Sequence, residues 1–343
     1  PATPTTLLSS AASDVYKRQV QAVTEEIVLR VGRHVHAETG LKNLCLAGGV
    51  ALNCVANGRL LREGPFENIW IQPAAGDAGG ALGAALHWWH EVEDNPRTVS
   101  GDGDAMQGAY LGPAYPDDEI ADWLGDRGYP HRTLGDGEIE AEVARLIDEQ
   151  NVVGMFQGRM EFGPRALGNR SIIGDARSEK MQSVLNLKIK YRESFRPFAP
   201  SCLEERIGEY FDIDRPSPYM LLVAQVQPGR CVPMETEDDG TDLFKRVNRP
   251  RSDVPAITHV DYSARIQSVN RDTNPPDHRV IEAFAERTGY GIIINTSFTV
   301  RGEPIVCTPE DAYRCFMRTE MDVLVLGNHV LLKADQPEMV QEK

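Results

Sequence analysis

The residues best equipped for chemistry in this chain are cations. Residues 159–171, RMEFGPRALGNRS, set Arg159, Arg165 and Arg170 among glycines and a proline. Arg177, Lys180, Lys188, Lys190, Arg192 and Arg196 follow, making nine basic residues against four acidic ones between 159 and 196. That segment carries +5 in a chain of net charge −15, so the rest carries −20. A solvated helix face would interleave acids at i+4 spacing, and this one mostly does not. Guanidinium forks held by turns suit phosphate or carboxylate oxygens, which they grip bidentately. The competing reading is a structural network pairing the chain's many acids. The backbone is too punctuated here for a regular helix or strand, and two prolines in FRPFAP (195–200) fix its direction beyond.

Four other stretches carry polar groups at turns. In LAGGVALNC (46–54) a strand ends at Gly48-Gly49 and opens a helix, bringing bare amides near a helix N-terminus where an anion binds; Asn53 adds a side-chain amide. The plain alternative is a tight turn with no ligand. In PAAGDAGGALGAAL (73–86), Asp77 follows a second strand and is flanked by glycines. It is either a metal ligand or the N-cap of the next helix. THVDYSARIQSV (258–269) puts His259, Asp261, Arg265 and Gln267 around a strand, and INTSFTVRGEPIV (294–306) puts Asn295, Thr296 and Ser297 at a strand exit. His259 reads as a proton donor, a positioning group or a buried structural histidine. His87 and His90 beside Glu91 have metal-ligand spacing, but with Trp88 and Trp89 between them they read as histidines at a helix end.

The elements that must hold these residues are α/β in pattern. Val20, Val23, Ile27, Val31 and Val35 recur at helical spacing before Gly40. NLCLA (43–47) and NIWIQP (68–73) are strands, each followed by a helix, which implies βαβ units and a parallel sheet. Residues 93–107 have the composition of a linker. Beyond it, helices are predicted at 117–127, 137–150, 178–188, 276–289 and 308–318. Strands are predicted at 152–157, 219–227, 264–270, 290–295 and 322–326. Residues 228–256, rich in charge and proline, read as a long loop or lid.

At 343 residues the chain suits two domains, and 41% hydrophobic with 25% charged residues is the composition of a soluble globular protein. No apolar run approaches the roughly 20 residues of a membrane span. Six cysteines without a CxxC pair read as reduced thiols of a cytoplasmic protein. The acidic balance argues against non-specific nucleic-acid or anionic-lipid partners, so an anionic ligand must be held by a local cluster. Residues 1–19 show no periodicity and read as a junction outside the fold.

Taken in order, GGVALNCVANGRL, PAAGDAGGALGAA, RMEFGPRALGNRSI, FRPFAPS, THVDYSARIQSV and NTSFTVRGEPIV closely resemble the O-carbamoyltransferases of the nodulation-factor, cephem and aminoglycoside type. The resemblance covers about residues 20–333. It implies the C-terminal portion of an actin/sugar-kinase-like ATPase domain at 20–95, a linker at 96–107, a YrdC-like α/β domain at 108–334 and a tail at 335–343. It further implies ATP with Mg2+, a carbamoyl-adenylate made from carbamoyl phosphate, and transfer assisted by Fe2+ to a hydroxyl of a small-molecule acceptor. On that basis Arg165, Arg170 and His259 are candidate catalytic residues. Lys190, Arg192, Arg196, Arg265, Asn295 and Ser297 are candidates for substrate and ATP. Gly48, Gly49 and Asn53 match the family's nucleotide-binding turn, and Asp77 its metal-binding aspartate. The family's upstream HxxH ligands have no counterpart, so the expectation is an incomplete metal site and a fragment competent for adenylation alone. Thr299 stands where the family form NTSFN has asparagine. The alternative reading is a non-catalytic nucleotide- or RNA-binding module.

Overall fold

The computed structural model describes residues 5–99, 103–135, 137–194, 196–233 and 249–338, with side chains from Arg18 onward. Helix α1 spans Thr5–Thr39. It starts ahead of the Val20 expected, inside the segment read as a junction, because no glycine or proline interrupts the chain between Thr5 and Val31. Its stripe of Val20, Val23, Ile27 and Val31 is exposed; Leu29 and Gly32 are buried. Strands β1 (Asn43–Leu46) and β2 (Asn68–Ile71) pair in parallel across α2 (Cys54–Glu63), and α3 (Asp77–His87) follows β2. The predicted βαβ unit is present.

The larger part contains α4 (Asp117–Arg127), β3 (Arg132–Thr133), α5 (Glu138–Asp148), β4 (Val153–Phe156), β5 (Arg170–Gly174), α6 (Met181–Val184) and β6 (Ala199–Leu203). It continues through α7 (Ile207–Tyr210), β7 (Leu222–Gln225), β8 (Ser263–Val269), α8 (Pro275–Thr288), β9 (Ile292–Ser297), α9 (Pro309–Met317), β10 (Val323–Leu326) and β11 (His329–Leu332). Its nine strands form one mixed sheet in the order β3-β11-β10-β4-β5-β9-β6-β8-β7. Only β10–β4 and β6–β8 run parallel. One apolar layer, including Ile172, Ile266, Ile294, Phe298 and Phe316, fills one face. Another, built from Val143, Ile147, Ile281 and Phe284 of α5 and α8, covers part of the other.

Four strands lie outside the predicted ones: the short edge strand β3, its neighbour β11, and the interior strands β5 and β6. Residues 170–174 are strand β5, fully buried, so no polar alternation marked them. Strand β6 lies centrally despite Pro200. The proline is tolerated because the β6–β8 pairing begins only at Ser201, so Pro200 faces no ladder partner on that side. The segment predicted at 178–188 is a short α-turn that passes into a wider turn, Leu185–Ile189. Residues 228–256 are anchored by a Cys231–Ser252 bridge, and 234–248 lie outside the described residues.

The two parts are packed together. Gly58 of α2 lies so close to β7 that a Cβ there would sit 2.4 Å from the Val223 carbonyl oxygen. Only glycine lets the helix approach that far. Buried Asn57 donates to the Ala51 and Leu221 carbonyls at 2.7 and 3.1 Å, and Arg62 to Val223 O at 2.9 Å. The described end of the expected linker is also docked, with Met106 buried and Asp104 accepting from Trp70 and Tyr219. This docking sets the start of α2 against the exits of the large sheet.

Candidate functional site

Five separated segments converge on one cleft of about 500 Å³. Arg165 arrives from the loop before β5, Arg192 and Arg196 from the turn after α6, Arg265 from β8, Asn295 and Ser297 from the end of β9, and Cys54 from the start of α2. His259 and Asp261 line it from the turn leading into β8. A second recess of about 340 Å³ shares Arg192, Arg196, Thr296 and Ser297, and adds Lys190, Thr299 and Arg301.

Strand alternation selects the face. On β8, Ala264 and Ile266 enter the apolar layer, so Arg265 points the other way. The register sets Ala199 opposite Asn295, which brings the start of β6 to the end of β9. The Arg165 loop is tied by one carboxylate. Buried Glu161 accepts through Oε1 from the amides of Leu167, Asn169 and Arg170 at 2.6, 2.9 and 3.3 Å. Gly168, at φ 112°, closes that loop, and a Cβ there would lie 2.3 Å from Asp277 Oδ2. Arg165 then reaches across to Leu52 O at 3.3 Å. Arg192 is placed by Asn186, whose Oδ1 accepts from its Nε at 2.6 Å, and its guanidinium lies over the Phe198 ring at 4.9 Å.

The cations outnumber the acids beside them: Glu193 pairs with Arg196 at 3.5 Å and Asp261 lines the cleft, while no ion pair is formed by Arg165, Lys190, Arg192 or Arg265 among the described residues. Nε of Arg165 and Nε of Arg265 are buried with no hydrogen-bond partner. Burial, reinforced by the charge of Arg165, pushes the Arg265 guanidinium down to about 10. Burial lowers Arg165 as well, and lowers Arg192 to about 10 with Arg196 adding to the effect. Lys190 falls to about 7 through burial, while its ammonium donates to the carbonyls of Ser297 and Thr299. His259 is also lowered by burial, which favours the neutral ring. A site in which the charges of Arg165, Lys190, Arg192 and Arg265 are disfavoured until an anion arrives is suited to anions. One lysine hydrogen remains for a ligand, since an ammonium has three donors.

The structure divides the sequence's cationic cluster. Arg165, Lys190, Arg192 and Arg196 face the two recesses, with Arg265 joining from elsewhere. Arg170 does not. It is fully buried on β5, donates to the carbonyls of Gln157, Gly158, Asn169 and Pro113, and stacks on Phe156 at 3.6 Å. Its expected role in gripping phosphate is corrected to holding the loop's backbone, because it lines neither recess and both terminal nitrogens donate to carbonyls, with only Nε left unpaired. Arg177 pairs with Asp175 and Asp148, and Lys188 with Glu320, as the ion-pair reading held.

The candidates of the smaller part do not join the cleft. Gly48 and Gly49 form an exposed turn. Asn53 accepts from Ala56 N as the cap of α2 and pairs with Gln21. Asp77 is exposed in the first turn of α3, where Gly76 holds the cap position. Among the described residues no three His, Cys, Asp or Glu side chains gather to hold a metal. No step is assigned to a metal.

Sequence reasoning missed Cys54, Arg62, Asn186 and Glu161. Cys54 and Arg62 depend on docking between the two parts, which no local pattern reveals. Glu161 stood inside the singled-out stretch, and an acid among arginines was the available signal. No described helix is long and apolar enough to cross a membrane.

Comparison with known proteins follows the same boundary. A family model described as "Carbamoyltransferase C-terminus" matches residues 144–333, and one described as "Carbamoyltransferase N-terminus" matches 8–86. The chain is 59% identical over 326 residues to the uncharacterized protein sll1178 of Synechocystis, covering 94% of this chain and 53% of that one. It is 40% identical to the nodulation protein NolO of Bradyrhizobium diazoefficiens, covering 94% and 55%. To the 3'-hydroxymethylcephem-O-carbamoyltransferase of Streptomyces clavuligerus it is 33% identical, covering 83% and 48%. The chain therefore spans about half the length of these relatives.

Proposed function

This chain belongs to the carbamoyltransferase family, and from that premise we propose that its cationic cleft activates carbamoyl phosphate with ATP. The observation that carries the reading is the pair of adjoining recesses sharing Arg192, Arg196 and Ser297, with the Nε of Arg165 and of Arg265 buried and unpaired in the larger one. Two recesses with one cationic wall suit two anionic substrates held side by side.

In this reading Arg165 and Arg265 meet one phosphoryl group, and Lys190, Arg192 and Arg196 the triphosphate. Water cleaves the O–P bond of carbamoyl phosphate, leaving carbamate and phosphate. A carbamate oxygen then attacks the α-phosphorus of ATP and expels pyrophosphate, giving carbamoyl-adenylate. Overall one carbamoyl phosphate, one ATP and one water yield carbamoyl-adenylate, phosphate and pyrophosphate. The cations are preorganised for the charge that builds on the transferring groups, which is how such a site lowers a barrier. His259, kept neutral, is the group able to take the proton from the attacking water. Transfer to a hydroxyl of a small acceptor, with the smaller part belonging to an actin-like ATPase domain and the larger being YrdC-like, completes the proposal.

The test is exchange of labelled pyrophosphate into ATP in the presence of carbamoyl phosphate. The wild-type chain should catalyse it, and Arg165→Ala should slow it about 10²–10³-fold. Exchange driven by another acid but not by carbamoyl phosphate would refute the donor assignment. Full-rate exchange in Arg165→Ala would refute the site.

A further inference from the structure

The cations of the cleft offer only donors. Among the acceptors that line it, Asp261 Oδ1 already accepts from Ser263, whereas Asn295 is at its wall in an orientation fixed by a chain of contacts that begins at a backbone carbonyl. Gln267 Nε2 donates to Leu167 O at 3.0 Å. A carbonyl can only accept, so the Gln267 amide has one permitted orientation, with Oε1 toward Ser201 and Asn295. Oε1 accepts from Ser201 Oγ at 2.6 Å and from Asn295 Nδ2 at 2.9 Å. Nδ2 also donates to Ser201 Oγ at 2.9 Å. A flipped Asn295 would set oxygen against oxygen. Both amide hydrogens are thus committed inward, and Oδ1 is left buried with no partner. Asn295 is 1% exposed and lines the cleft beside Arg165 and Arg265.

A buried carbonyl with no donor is costly, so a built site that leaves one open is completed by a ligand N–H or O–H. Phosphate and triphosphate oxygens are acceptors at neutral pH. In the reading above, the donors that the substrates bring are the amino group of the carbamoyl unit, the ribose hydroxyls and the adenine amino group. The carbamoyl NH2 lies within a few bonds of the phosphoryl group that Arg165 and Arg265 attract, whereas the nucleoside's donors lie farther from a phosphate. We propose that Asn295 Oδ1 accepts a hydrogen bond from the carbamoyl NH2, which makes Asn295 the residue that distinguishes carbamoyl phosphate from acyl phosphates of the same shape. The proposal rests on the function assigned above and deepens it.

Acetyl phosphate is the probe, because a methyl group replaces NH2 with little change of size. Pyrophosphate exchange is measured with each donor, for wild type and for Asn295→Leu, which keeps the side chain's shape and removes the acceptor together with the Nδ2 contacts to Ser201 and Gln267. Wild type should favour carbamoyl over acetyl phosphate at least about tenfold, and Asn295→Leu should bring that ratio close to one while its pyrophosphate affinity stays unchanged. An unchanged ratio in folded Asn295→Leu overturns the proposal. So does a variant that stops distinguishing ATP from inosine triphosphate while keeping its donor preference, since Asn295 would then read adenine. If the variant does not fold, wild type decides: equal use of the two donors overturns the proposal, and rejection of acetyl phosphate supports it. No exchange with either donor in wild type is the separate failure of the function itself.

Discussion

Replacing Arg265 with methionine should stabilise the ligand-free protein and weaken its response to inorganic phosphate. Arg265 sits in the cleft wall with Nε unpaired, beside the like charge of Arg165. Its fall from 12.5 to about 10 comes first from burial and then from that neighbour. By linkage, such a fall corresponds to a penalty of about 3 kcal/mol on the charged form. Solvent reaching the cleft reduces this, and we expect about 1–2 kcal/mol. The sign follows from the direction. With the folded value depressed, the penalty is present in full at neutral pH and is relieved only as pH rises from about 10 to 12.5. Methionine keeps the aliphatic stem's volume without the charge. Thermal melts in low-phosphate buffer should therefore show a rise of a few degrees for Arg265→Met. Inorganic phosphate at ten times its Kd should stabilise wild type by about 1.4 kcal/mol, and the variant far less. A variant less stable than wild type without anion, or one equally stabilised by inorganic phosphate, would refute this account of the cleft.

Arg170→Met should destabilise the fold by about 3 kcal/mol or more in urea, because several buried carbonyls lose their donor; a stable variant that fails to bind pyrophosphate would return Arg170 to the site. Lys190, at about 7 in the free protein, must be protonated to hold an anion, so pyrophosphate affinity should fall as pH rises through 7. Lys190→Met should lack that inflection in binding titrations from pH 6 to 9, and an unaltered profile would remove Lys190 from the site. Asp277 is raised to about 7 by burial and by Glu161. With the folded value above 3.8, stability should fall as pH rises from about 4 to 7, and Asp277→Asn should flatten that slope in urea unfolding at pH 5 and 8.

Much of the fold was legible because it obeys local rules. The predicted α4 boundary, 117–127, coincides with the observed helix, and the capping box of Thr308 and Asp311 marks the start of α9. Strand β5 escaped because a strand buried on both faces carries no alternation, and β6 because Pro200 argued against a central strand. The site was legible in residue type but not in membership. Arg165 and Arg170 lie five apart in one glycine-rich stretch, yet one faces the cleft and the other is the most buried cation near it. That difference is made by the carbonyls of Gln157 and Pro113 and the ring of Phe156, which meet Arg170 only after the strands pair.

What the sequence determined by itself is a local excess of positive charge in an acidic chain, set on turns between α/β elements. Those are properties of composition and short-range spacing, and they hold before any tertiary contact forms. The tertiary structure decided which of those charges face a ligand, by spending Arg170 and Arg177 on the fold, setting Arg165, Lys190, Arg192 and Arg196 around two adjoining recesses and bringing Arg265 to them from a distant strand. It also decided that Asn295 offers an acceptor there, because its amide is turned by Gln267 and Gln267 by Leu167 O. Hydrogen-bond direction passes between residues remote in the chain, and only the assembled sheet brings them within reach.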